Sequence, residues 1–216
     1  MSGQESSGKP ISVGIVVWDG ADPMDVVGPY RVFIAAGAIG RFIEGSPEWS
    51  VHLVAETLDT QDWVGLRVAP TTTYEQCPSL DVLLVSGGDA ETPDRARQLH
   101  QRHEPTLSFV RTRSVEADIT ASVCTGAFVL AGAGLLAGRR ANTHWANRQE
   151  LRDLMGERGE SLEIVEERVV DDGDLITAGG VTSGIDLGLA IVERLAGAEL
   201  RGACEGVLER ETPASV

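Results

Sequence analysis

The chain has 216 residues, of which 18 are Lys or Arg and 33 are Asp or Glu, giving a formal charge of −15. With 42% hydrophobic residues it can fill a full core, so disorder and a disulfide-stapled miniature fold are both excluded. Acidity distributed through the chain opposes association with phosphate backbones and anionic lipid, so nucleic acid and membrane surfaces are not expected partners. Cys77, Cys124 and Cys204 are odd in number and form no CxxC pair, which argues against a disulfide framework and a zinc ribbon and suits a reducing cytoplasm. No apolar run is long enough to span a membrane, and residues 1–10 are polar, reading as a flexible N-terminal segment rather than a signal peptide.

In chain order, ISVGIVVW from Ile11 is apolar and β-branched, which predicts a central strand buried on both faces. Asp19-Gly20 ends it. Pro23 to Gly37 reads as a loop entering a helix, with Gly28-Pro29 interrupting any continuous helix before Tyr30. Residues 37–49 read as a loose connection, and SVHLVAE from Ser50 as a second strand. Gly65 to Tyr74 suits a small hairpin or edge strand. Asp81 to Val85 is another buried strand, followed at once by Ser86-Gly87-Gly88, where missing side chains let backbone amides face a ligand.

Thr92 to Ser114 reads as two surface helical pieces broken at Pro105, ADITASV as a strand, and Thr125 to Leu136 as a small-residue helix. RRANTHW predicts a short extended piece before a polar helix to about Met155. Two β-rich runs flank Asp172-Gly173 and form a hairpin signal. After Gly179-Gly180, IDLGLAIVERLAG is an amphipathic helix with capping residues in front of it, and a short helix from about Glu199 to Arg210 follows. Residues 11–211 thus form one alternating α/β domain, an open parallel sheet with helices on both faces, and 212–216 a tail.

In such sheets ligands bind beyond the carboxyl ends of the strands, which singles out Asp22, Asp25, Gly87, Gly88, Cys124 and Thr125. Cys124 stands between a strand and a helix, and Gly126 permits the sharp bend, so the segment reads as a nucleophile elbow carrying cysteine. The positive end of the following helix favours a thiolate, so a lowered pKa is expected. A small buried hydrophobe is the bland reading of Cys124, and the firmer one for Cys77 and Cys204, which lie at no such turn.

PMDVVGP, the SGG turn, SVCTGAFVLAGAGLLAGRRANTHW and GGVTSGIDLGLAIVERLAG together resemble the ThiJ/PfpI superfamily, and within it the isonitrile hydratase branch, over nearly the whole chain. The resemblance implies a flavodoxin-like three-layer sandwich, a homodimer, no cofactor and no metal. It also implies a reactive cysteine at Cys124, an acidic partner at Asp25 and an assisting Thr125. An isonitrile would accept a proton from a carboxylic acid and a thiolate from Cys124, then water, and leave as an N-substituted formamide. Backbone N–H groups of Thr125 and of Gly87 or Gly88 would stabilise charge on oxygen, and the Thr125 hydroxyl would orient the water.

Asp25 competes with Asp19 and Asp22 for the acid role, since an Asp near a strand end is often only a helix cap. The family's D-x-x-G-P pattern selects Asp25. Glyoxalase and deglycase relatives carry Glu there, and peptidase-like relatives carry His directly after Cys, where this chain has Thr125. His144 is a secondary candidate for pairing with Cys124, against a structural role beside Trp145. The chain departs from the hydratase pattern at Ser86, where Pro is common, and at Val27, which replaces a hydroxyl residue. Two other functions compete: a sensory domain of arabinose-operon-type regulators, disfavoured by the end of the chain soon after the last helix and by its charge, and a redox or carbonyl-stress protein acting through the same thiol.

Overall fold

A computed structural model describes residues 8–60, 65–88, 96, 98 and 104–210. The expected N-terminal segment falls mostly, and the tail wholly, outside these residues. Apolar, β-branched runs form the sheet: β1 (Ile11–Val16), β2 (Trp49–Ala55), β3 (Thr72–Thr73), β4 (Val82–Val85), β5 (Ile119–Ser122), β8 (Val169–Asp172) and β9 (Leu175–Ala178). Their spatial order is β3-β2-β1-β4-β5-β9-β8, while β6 (Arg139–Ala141) and β7 (Leu162–Ile164) pair separately. Every pair is parallel except the β8–β9 hairpin, which turns at Gly173 with φ 84°. β4 and β5 are buried at every position, as strands covered on both faces must be.

From β1 the chain moves outward to β2 and β3, then returns to lay β4 on the other side of β1. Right-handed crossovers in these opposed directions put helices on opposite faces of the sheet. Accordingly α1 (Pro23–Gly40) packs on α5 (Ser183–Val207), and α2 (Glu104–Glu116) and α4 (Arg148–Glu157) both pack on α3 (Gly126–Gly132). The reversal of strand order between β1 and β4 opens a crevice at their carboxyl ends. Among the described residues no helix is long and apolar enough to cross a membrane.

Several sequence expectations are corrected. Gly28-Pro29 does not interrupt α1, which runs unbroken for 18 residues with Pro29 inside it. Gly28 and Pro29 are both buried, and a Cβ on Gly184 would lie 3.0 Å from Pro29 Cδ, so packing on α5 offsets the missing N–H. Of the two helical pieces expected around Pro105, the second is α2, with Pro105 in its first turn where no N–H is needed; most of 92–103 lies outside the described residues. Gly65–Tyr74 supplies only the two-residue edge strand β3, parallel to β2 and so not a hairpin. Thr182 makes no side-chain cap in front of α5, and its hydroxyl instead accepts from Arg168 Nη2 at 2.9 Å. The expected division of the C-terminal helix is present at Gly197, whose φ of 89° kinks α5.

Candidate functional site

Three neighbouring strands deliver the candidate residues to one place. β1 leads to Asp25 in the first turn of α1, β4 to Ser86-Gly87-Gly88, and β5 through Val123 to Cys124. Ser86 replaces the expected proline to structural effect: its Oγ donates to the Val16 carbonyl at 2.7 Å, and its carbonyl accepts from Trp18 Nε1 at 3.1 Å. Both bonds tie the end of β4 to the end of β1, so the Ser86 hydroxyl adds no polarity to the crevice. Asp22 is the helix cap, accepting from the Met24 N–H at 2.8 Å, and Asp19 lies exposed at the strand turn. Asp25 is the carboxyl that reaches inward.

Cys124 has φ 55°, a left-handed conformation rare for a residue with a side chain. Such a strained elbow lifts the side chain above the sheet. The residue is 7% exposed, and its N–H donates to the Gly179 carbonyl at 2.8 Å while its own carbonyl accepts from Thr143 Oγ1 at 2.8 Å. Gly87 lies directly beneath the site. A Cβ there would stand 2.6 Å from Thr125 N, 2.7 Å from Asp25 Oδ2 and 2.8 Å from Thr125 Oγ1. Only glycine allows these groups to converge.

The Asp25 carboxyl is fully buried, and among the described residues neither oxygen makes a hydrogen bond of good geometry. Burial, reinforced by the charge of Asp22, raises it well above the usual carboxylate range, although the Cys124 thiol and the Gly87 N–H face it and favour ionisation. The Cys124 thiol is pushed up to about 12 by burial and then by the Asp25 charge, against the N–H groups of Val181 and Thr125. This overturns the expected lowering. Helix-terminal donors are present, but removal from water and two nearby carboxylates outweigh them.

Thr125 and Gly88 serve each other. The Gly88 N–H donates to Thr125 Oγ1 at 2.9 Å and the Thr125 hydroxyl donates to the Gly88 carbonyl at 3.0 Å. The Thr125 hydroxyl has therefore spent its hydrogen and can meet a water only as an acceptor, and of the two expected amides Gly88 is engaged. The backbone N–H groups of Thr125 and Gly87 remain aimed at the thiol and carboxyl.

His144 packs against Gly180, where a Cβ would meet its Cδ2 at 2.5 Å, and its ring is tilted 40° against that of Trp145, which is 72% exposed. Among the described residues, Asp25, Asp22 and the backbone amides of Val181 and Thr125 act on the Cys124 sulfur. Sequence reasoning missed Val181, whose φ of 24° turns its N–H toward the sulfur, and Thr143, which grips the Cys124 carbonyl. The THW motif carried the second signal, but His drew the attention. For Val181 the only signal was its place after Gly179-Gly180.

The model of the DJ-1/PfpI family matches residues 11–194. The chain belongs to the DJ-1/PfpI family. It is 38% identical over 190 residues to isonitrile hydratase of Pseudomonas putida, covering 88% of this chain and 74% of that one. A ThiJ/PfpI family protein from Pseudomonas syringae superposes with a TM-score of 0.78 at 30% identity, covering 96% of this chain and 78% of the other. A 76-residue stretch, 35% of the chain, is 42% identical to 21% of the HTH-type transcriptional regulator CdhR of Pseudomonas aeruginosa.

Proposed function

We propose that this DJ-1/PfpI protein hydrates an isonitrile to an N-substituted formamide, with Cys124 as nucleophile and Asp25 as acid and base. The observation that carries this reading is a fully buried carboxyl that faces the Cys124 thiol and stands at the Gly87 backbone. A buried carboxyl beside a thiol is costly to ionise and is a candidate for a group whose proton is used. Identity of 38% to the Pseudomonas putida isonitrile hydratase supports the substrate class.

The pair holds its protons at rest, because burial opposes charge on either group. Asp25 gives its proton to the terminal carbon of the isonitrile, and the carboxylate left behind takes the Cys124 proton as sulfur attacks that carbon. One C–H and one C–S bond form, leaving the thioimidate Cys–S–CH=N–R. Water then adds to the same carbon, one proton going through Asp25 to nitrogen. Collapse breaks the C–S bond, forms the carbonyl and returns the proton to sulfur, so that RNC and water become the formamide. The Thr125 and Gly87 amides stabilise charge on oxygen in the adduct. Each step uses protein groups and water, with no cofactor, metal or nucleic acid.

The experiment is formation of N-cyclohexylformamide from cyclohexyl isonitrile by wild type and Cys124→Ala in parallel. We expect product with wild type and none above background with the variant. Full activity in Cys124→Ala would overturn the covalent mechanism. A second reading, a small-ligand sensory domain, is favoured by the 42% identity to a regulator segment. It predicts saturable ligand binding without turnover in the same assay. A redox or carbonyl-stress role predicts turnover of aldehydes instead.

A further inference from the structure

The elbow's backbone poses a problem that Cys124 cannot solve by itself. At φ 55° its carbonyl points away from the ladder of α3, which begins only at Gly126. That carbonyl and the Thr125 N–H belong to one planar peptide unit and point to opposite sides of it. Whatever holds the carbonyl therefore sets the direction of the N–H, and that nitrogen lies over Gly87, beside Asp25 Oδ2. The group holding it is the Thr143 hydroxyl, fully buried and 2.8 Å away.

Thr143 is itself fixed. Its N–H donates to Asn142 Oδ1 at 2.8 Å, and Asn142, also fully buried, is anchored through its N–H to Thr177 Oγ1 and through Nδ2 to the Glu167 carbonyl. Arg148 Nε completes the set on Asn142 Oδ1 at 3.0 Å. Neither residue is needed for its bulk to cap a helix, since the 3₁₀ turn at Trp145–Asn147 has no side-chain cap. A buried network of hydrogen bonds that ends on one carbonyl fixes the group it ends on.

We propose that Thr143 is a positioning residue: by holding the Cys124 carbonyl, its hydroxyl keeps the Thr125 N–H aimed into the site. The proposal rests on Cys124 as the reacting group but not on the identity of the substrate. Without the hydroxyl the peptide plane is free to rotate, which turns a donor away from charge developing in the adduct while leaving the substrate's own contacts in place.

The test compares Thr143→Val, which keeps the shape and removes the donor, with Thr143→Ser, which keeps the donor. Two quantities are read: kcat and KM on cyclohexyl isonitrile, and the rate of Cys124 alkylation by iodoacetamide against pH, followed by mass spectrometry of the Cys124 peptide. For Thr143→Val we expect kcat to fall about 10- to 100-fold, short of the full loss of an oxyanion donor, with KM little changed. The alkylation midpoint should move to higher pH, and Thr143→Ser should restore both. An unchanged profile in Thr143→Val, or a Ser variant as impaired as Val, overturns the proposal. If Val does not fold by circular dichroism, Thr143→Ala is read in its place against the same two outcomes. If wild type forms no formamide, the alkylation profiles still decide, so the hydratase reading can fail while the positioning role stands.

Discussion

Burial opposes the ionisation of both Asp25 and Cys124, and the Asp25 charge further opposes that of the thiol, while the thiol in turn favours the Asp25 carboxylate. Asp25 is protonated more readily in the folded chain than in the unfolded one, whose carboxyls titrate at about 3.9. Below that pH both states hold the proton and the burial carries no charge penalty. As pH rises above it the unfolded state ionises first, so the folded state loses stability until its own raised pKa is passed. Replacing the carboxyl by an amide removes this dependence. In Asp25→Asn we therefore expect a larger gain in Tm, relative to wild type, at pH 8 than at pH 4. We also expect a lower alkylation midpoint for Cys124, since the opposing charge is gone, together with a fall in hydration of about 10²–10⁴-fold. Equal Tm differences at both pH values would contradict the burial of an ionisable group.

At the scale of elements, the contact of α1 with α5 sets where Asp25 stands. Small residues at Gly184 and Gly188, one turn apart, let the helices approach: a Cβ on Gly188 would lie 3.0 Å from Val32 Cβ and 3.2 Å from its Cγ1. Gly188→Val forces that contact apart, and we expect a loss of about 1–3 kcal/mol by urea denaturation. Wild-type stability in this variant would mean that the helix pair yields without strain. The existence of α1 as one helix was not legible in its own sequence, because Gly28-Pro29 is a local breaker and its compensation comes from a helix more than 150 residues later. The β8–β9 hairpin was legible, since Asp172-Gly173 needs only local backbone geometry. Pro105 was legible as a boundary for a local reason too: in the first turn of α2 a proline's missing N–H and fixed φ cost nothing.

At the scale of the whole molecule, an acidic surface and an exposed apolar pair on α1 bear on assembly. Val27 and Ile34 are 44% and 40% exposed and stand seven residues apart, hence on one face of the helix. We propose a homodimer that uses this face. Ile34→Glu should then shift the chain toward the monomer mass in light scattering, and an unchanged mass would remove α1 from the interface. With a formal charge of −15, such a contact would be strengthened by salt, which screens repulsion between like-charged copies.

The sequence alone determined the sheet and the elbow and placed Asp25, Gly87 and Cys124 beyond strand ends, because each depends on local pattern: β-branched runs for strands and glycines where backbones come close. It also marked Cys77 and Cys204 as buried bystanders, and both are buried. Tertiary structure decided the protonation of the site and the use of its donors. A helix terminus seen in sequence suggested a low thiol pKa, yet the sign depends on how much water and which charges surround the sulfur, and these come from three strands at once. Likewise Thr125 and Gly88 satisfy each other, and Thr143 rather than His144 touches the elbow, because hydrogen bonds are settled by which groups the fold brings within 3 Å.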